Sequence, residues 1–245
     1  MVEKHRTVSR VVGILEFVVR SPNGASLSEI AEHLDAPKSS VYGFVRGLEA
    51  EGYLKENEAG HFVFGLGAHT LLASQATSLV ELAAPVMNTI GSELGETITL
   101  AVFLDHELTY VHSVPSNQRI GYNPEMHTRR PLWPTSAGKI LLAASETPEL
   151  KTRVLTSENL TAETLEAEIE SVRHRGYGLN IGETVADVSA FALGLKIGST
   201  LAAAITVGGP NVRMRPHIEE MVSTARSAIS NSGLDVWDFS INEPG

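Results

Sequence analysis

The stretch Trp133-Pro134-Thr135-Ser136-Ala137-Gly138-Lys139 has the composition of a loop running into the first turn of a helix. Amide N–H groups in a first turn have no acceptor inside the helix and carry the positive end of its dipole, so they favour an anion or a carboxylate. Thr135 or Ser136 would add a hydroxyl, and the small Ala137 and Gly138 would let a ligand approach the backbone. Arg129 and Arg130 stand just upstream, and a guanidinium can pair a carboxylate through two parallel hydrogen bonds. The plainer reading is that Ser136 caps the helix and the arginines are solvated. The glycine spacing is not that of a phosphate-binding loop.

A second cluster, Lys38-Ser39-Ser40 with Tyr42 and Arg46, opens a short amphipathic segment. Small polar side chains at the exposed start of such a helix suit the edges of DNA bases in a major groove, and flanking cations suit phosphate. Arg6 and Arg10 would extend a basic face, and His61 or Lys55 could meet the backbone from further along. Residues 1–67 nevertheless hold seven Lys and Arg against nine Asp and Glu, so the face must be local. The same elements would also make a protein-interaction module.

Other chemistries find little support. Without cysteine there is no disulfide, thiolate metal site or thiol nucleophile. His106, His112, His127 and His174 are scattered and lack ligand spacing, and no Gly-x-Ser-x-Gly elbow occurs. Neither a cofactor nor a metal is implied. The net charge of −10 argues against a non-specific polyanion binder, but a sequence-specific one needs only a local basic face. The N-terminus lacks an apolar signal core and no stretch has the apolar length of a membrane span, so a cytoplasmic protein is expected, with no membrane partner.

The elements that must position these residues follow from periodicity. Val8, Val11, Val12, Leu15 and Val19 recur at helical spacing up to the breaker Ser21-Pro22-Asn23-Gly24. Ser26 and Glu29 read as a capping box before Leu27, Ile30, Ala31 and Leu34. Val41, Phe44, Val45 and Leu48 line a third helix, which Gly52 ends. Residues 53–55 and 61–64 then predict two short strands around the turn Asn57-Glu58-Ala59-Gly60. That order is a winged helix-turn-helix.

Residues 68–78 are apolar and helix-permissive, and a further helical run follows from Leu79 to Leu94, where Pro85 should kink it or mark a fresh start. This connector is a candidate dimer seam. Residues 97–104 and 108–114 predict strands around a turn at Asp105-His106, and 120–122 a further short strand. Helices are expected at 137–144, 148–155, 162–175 and 214–230, with strands at 177–179, 190–197 and 201–207. The fold class is α+β, with helices flanking an antiparallel sheet.

Four stretches give the chain a resemblance to the IclR family of bacterial transcriptional regulators. They are Leu27-Ser28-Glu29-Ile30-Ala31 through Val41-Tyr42 to Leu48-Glu49-Ala50-Glu51-Gly52-Tyr53-Leu54; Gly95 to Ala101; Arg130-Pro131-Leu132-Trp133-Pro134-Thr135-Ser136-Ala137-Gly138-Lys139; and Leu201 to Pro210. The resemblance implies a winged helix at 1–67, a linker helix at 68–82 and a GAF-like effector-binding domain at 83–245. It also implies a homodimer or homotetramer, operator DNA as partner, and an organic-acid or aromatic effector. It points to Tyr122, Met126, Asn180, Ala190, Thr206 and Gly208 as pocket lining beside Arg130, Thr135, Ser136 and Ala137. Tyr122, Met126 and Trp133 would suit an aromatic ring.

The chain departs from the family at Gly43, where an Arg is usual, which leaves Arg46 as its substitute. Asn180 and Ala190 stand where relatives often have an acid and a Cys. The expected function is a sequence-specific DNA-binding transcriptional regulator, repressor or activator, whose operator affinity a small-molecule effector controls, and not an enzyme. The alternatives are a GAF-like enzyme acting on a small polar molecule, with the winged helix as an interaction module, or a DNA-binding protein with a vestigial sensor domain.

Overall fold

The computed structural model describes residues 5–67, 78–104, 106–145, 147–197 and 200–239. The chain divides into two compact units, residues 1–78 and 79–245. Residues 68–77 of the connector expected at 68–78, and Asp105 of the expected turn at 105–106, lie outside the described residues. Among the described residues no helix is long and apolar enough to cross a membrane.

In the first unit, α1 (Arg6–Val19), α2 (Leu27–His33) and α3 (Lys38–Ala50) precede a hairpin of β1 (Leu54–Glu56) and β2 (Phe62–Phe64). Ser26 and Glu29 form the expected capping box, with the Ser26 amide donating to Glu29 Oε2 at 2.7 Å. Gly52 ends α3 at φ +77°, a left-handed conformation that glycine adopts without strain. Between the strands, the Asn57 side chain accepts from the Ala59 and His61 amides, fixing the turn. Ile14, Val18, Ile30, Val41, Val45, Leu54 and Phe62 make the core. The inward side chains of three short helices thus meet one face of the hairpin, and this fixes the pitch of α3.

In the second unit, α4 (Leu79–Leu94) continues through Pro85 rather than restarting there. Val86, Met87 and Ile90, just beyond the proline, are buried in the core, and that packing holds the helix together. The strands are β3 (Thr97–Leu104), β4 (Glu107–Val114), β5 (Arg130–Pro131), β6 (Gly178–Ile181), β7 (Val188–Ile197), β8 (Thr200–Pro210) and β9 (Asp235–Val236). They form an antiparallel sheet in the order β5-β4-β3-β8-β7-β6, with β9 also on β7. The helices α5 (Ser136–Ala144), α6 (Pro148–Ser157) and α7 (Ala162–Arg175) lie together in sequence; α8 (Asn211–Met214), a 3-10 turn (Arg215–His217) and α9 (Ile218–Asn231) follow β8.

Two expectations change. Residues 120–122 form no strand, because side chains claim their backbone: Arg213 donates to the Ile120 carbonyl and Thr97 to that of Tyr122. The helix expected at 214–230 is broken at Arg215–His217, where Pro216 has no N–H to donate.

The sheet carries different side-chain sizes on its two faces. Ile98, Leu100, Phe191, Leu193, Leu195, Ala203, Ile205 and Val207 pack against α4 and α9. Each fully buried Leu, Ile or Phe contributes about 2 kcal/mol. The alternate positions face the other way and are small: Thr97, Thr99 and Ala101 on β3, Ala204, Thr206 and Gly208 on β8, and Ala190, Ala192 and Gly194 on β7. Ala101, Ala192 and Ala204 underlie α5, whose Ala137, Ile140 and Leu142 are buried there. Because α5 starts only at Ser136, the rest of this small-residue face has no helix above it.

Candidate nucleic-acid interface and ligand pocket

Lys38 and Ser39 are exposed at the start of α3, and Ser40 is half-buried. Pro37 precedes them and supplies no side-chain cap. First-turn amides left without a capping side chain are available to phosphate. Arg10 Nη1 donates to Ser40 Oγ at 3.1 Å, which ties α1 to the start of α3 and keeps a guanidinium there. Arg6 is exposed on α1, and Tyr42 is 50% exposed. A Cβ added at Gly43 or Gly47 would meet nothing within 4 Å, so this side of α3 is open and nearly bare. His61 lies half-buried just before β2.

Arg46 departs from the expectation of a free basic contact. Its Nη1 lies 2.6 Å from Glu49 Oε2 and 2.9 Å from Glu56 Oε2, and its guanidinium stacks over Tyr42 and Phe62. Those hydrogen bonds, led by Glu49, raise its pKa further above the usual arginine value. Arg46 therefore ties α3 to the hairpin and shares its charge with two acids. The charge along α3 is polarised: Lys38, with Arg10 beside it, stands at its start, and Glu49 and Glu51 at its end.

The second unit holds a narrow cavity of about 30 Å³, which widens to about 500 Å³ of empty space only when its open mouth is counted. It lies on the small-residue face beyond the start of α5. Its floor is Thr97, Thr99, Thr206, Gly208 and Ala190, and its walls include Tyr110, Tyr122, Arg130, Thr135, Ser136 and Asn180. Thr184, Val185 and Val188 close one side. Among the lining residues there is no carboxylate. The Thr99 and Thr206 hydroxyls bond each other across the β3–β8 register. The Tyr122 ring lies over Gly208, where a Cβ would stand 3.1 Å from Tyr122 Cδ1. Burial is the main cause that pushes the Tyr110 hydroxyl up to about 12, so it stays protonated.

Of the residues expected at the ligand, Arg129, Met126, Trp133 and Ala137 are not in the lining: Met126, Trp133 and Ala137 belong with the apolar core around α5, and Arg129 Nη1 lies 3.3 Å from Glu107 Oε2. Thr97, Thr99, Tyr110 and the 184–188 turn were not anticipated. Threonines alternating with Ile98 and Leu100 on a strand were the available signal, since the alternation marks one face of the strand as polar.

The start of α5 is only partly open. Thr135 Oγ1 accepts from the Gly138 amide at 3.1 Å, so Thr135, not Ser136, is the cap. A Cβ on Gly138 would overlap the Leu132 carbonyl oxygen. Its small size thus serves packing rather than ligand approach, at a helix cost of about 1 kcal/mol. Asn180 builds the wall. Its Nδ2 donates to the Pro134 carbonyl at 2.7 Å and to Thr184 Oγ1 at 2.8 Å, and its Oδ1 accepts from the Glu183 amide at 3.2 Å. Lys139, 3% exposed, clamps the same turn from beneath by donating to the Leu179 carbonyl and to Glu183 Oε2 at 2.6 Å.

Two family models match the chain: IclR helix-turn-helix domain over residues 7–58, and bacterial transcriptional regulator IclR C-terminal over residues 72–231. The chain belongs to the IclR family of bacterial transcriptional regulators. It is 26% identical over 194 residues to the HTH-type transcriptional regulator TtgV of Pseudomonas putida, covering 76% of this chain and 75% of that one. It is 25% identical over 222 residues to the HTH-type transcriptional repressor AllR of Escherichia coli, covering 85% and 82%. Among solved structures, an IclR homologue from Microbacterium hydrocarbonoxydans in complex with 4-hydroxybenzoate has a TM-score of 0.74 at 21% identity, covering 92% of this chain and 98% of that one. The IclR of Thermotoga maritima has a TM-score of 0.63 at 22% identity, covering 92% and 96%. Membership in the IclR family makes the chain a DNA-binding transcriptional regulator of helix-turn-helix type with an effector-binding C-terminal domain. The reading as an enzyme is set aside.

Proposed function

We propose that this IclR-family regulator binds operator DNA through Arg6, Arg10, Lys38, Ser39, Ser40, Tyr42 and His61, and is controlled by a small organic or aromatic acid held in the second unit's cavity. The observation that carries the reading is the cavity itself. Residues distant in sequence, from Thr97 to Gly208, converge on it beside a helix start and a guanidinium. An uncharged, hydroxyl-rich floor with one cation and two tyrosines suits a small acid. The structural neighbour bound to 4-hydroxybenzoate is consistent with that class.

The protein is taken to work as a cytoplasmic dimer or tetramer that acts as a repressor. A two-fold protein matches an operator of two half-sites. Ligand binding shifts operator affinity only as far as its affinity differs between the two arrangements of the oligomer.

A gel-shift series against the DNA upstream of the chain's own gene tests the reading, with and without small aromatic and aliphatic acids. Retardation at moderate salt that an acid relieves supports it. Absence of specific retardation overturns the DNA assignment. Retardation that no acid alters overturns the effector assignment.

A further inference from the structure

We propose that Arg130 and Glu125 form a charge-reading pair, in which Arg130 selects a ligand with a single carboxylate and Glu125 competes with it. This rests on the reading of the cavity as the ligand site.

Arg130 lines the cavity from β5. Its guanidinium lies over the Tyr110 ring at 5.3 Å, and its Nη2 donates to the Glu125 carbonyl at 3.0 Å. Its Nε is buried and has no acceptor. A buried donor without a partner destabilises the state that contains it, and an acceptor brought by a ligand removes that penalty. No carboxylate is among the cavity's lining residues, so the acceptor comes with the ligand.

Glu125 lies within ion-pair distance of this guanidinium. Its Oε2 lies 3.9 Å from Arg130 Nη2, and its Oε1 accepts from the Thr128 hydroxyl at 2.9 Å, which orients the carboxylate. Glu125 is 68% exposed, so its pairing with Arg130 is screened and weak. A ligand carboxylate reaching the buried Nε edge therefore outcompetes it. The Glu125 charge remains beside the site, however. It offsets part of the attraction felt by a monoanion, and it repels the second charge of a dianion. The pair thus admits one negative charge, and neither none nor two.

Calorimetric titration of the full chain tests this with 4-hydroxybenzoate, benzoate and lactate, each beside its primary amide, and with the dianion isophthalate. Wild type binds the best monoacid about tenfold or more tightly than its amide, the size expected of a charged hydrogen bond. Arg130→Gln brings acid and amide within about twofold, whereas Arg130→Lys keeps part of the preference. Glu125→Gln, at an exposed position, tightens the monoacid severalfold, leaves the amide unchanged and narrows the penalty on isophthalate. An acid-to-amide ratio that survives Arg130→Gln overturns the inference, as does a Glu125→Gln protein that binds the acid more weakly. If no acid or amide binds at millimolar concentration, the cavity reading falls as well. If acid and amide bind equally to wild type, only the charge-reading pair falls.

Discussion

Each unit holds an arginine that its sequence context assigns to an anion, and the fold treats the two in opposite ways. Arg46 meets Glu49 one helical turn on and Glu56 from the hairpin, and its charge is spent inside the unit. Arg130 meets a carbonyl, a ring face and a distant, solvated carboxylate, and keeps a buried Nε unmatched. A basic residue's availability is thus decided by the acids that tertiary structure brings to it, and one of Arg46's two partners is ten residues away in sequence. The same comparison explains how a slightly acidic segment can face DNA: its acids at 49 and 56 are turned onto Arg46, away from Lys38.

The largest effect should come from Lys38→Glu, which reverses the charge at the bare start of α3. Binding to upstream DNA should fall by roughly tenfold to hundredfold, and the salt dependence should lose about one unit of slope, both readable by fluorescence anisotropy. Next, Gly208→Leu puts a side chain where the Tyr122 ring lies. Wild type at a ligand concentration a hundred times Kd should gain about 2.7 kcal/mol of stability, and this variant should gain none while still binding DNA. Arg46→Ala should act mainly on folding, lowering the melting temperature by a few degrees and reducing DNA affinity less than Lys38→Glu does. A DNA defect equal to that of Lys38→Glu, with unchanged melting, would return Arg46 to the binding face. The smallest change is Gly43→Ala. With ordinary helical backbone and open space around it, alanine should stabilise the first unit by about 0.5–1 kcal/mol in urea unfolding.

Locally determined features were legible in the sequence. The Ser26–Glu29 box, the strand at Thr97–Leu104 and the helix at Ala162–Arg175 each depend on neighbours within a few residues, and each stands where its pattern put it. Some features depend on distant partners. Residues 120–122 look like a strand until Arg213, on a helix more than ninety residues on, takes the Ile120 carbonyl. Asn180 lines the cavity as expected, but that its amide also holds Pro134, 46 residues away, was not in the pattern. The helix break at Pro216 is local: proline has no N–H to donate, so the sequence carries its signal. Most of the cavity's lining came from family resemblance. The physical reason those residues meet, a face of small side chains extending beyond the start of α5, emerges only from the strand register.

The central claim is that occupancy of the second unit's cavity changes the first unit's hold on DNA. It is tested most directly by the affinity of the full chain for its upstream DNA at fixed salt, measured with and without a saturating acid identified by thermal shift, in wild type and in Gly208→Leu. The account predicts a change of about fivefold or more in wild type and none in the variant. An acid that binds the cavity and leaves DNA affinity unchanged, or one that shifts both proteins alike, would contradict it.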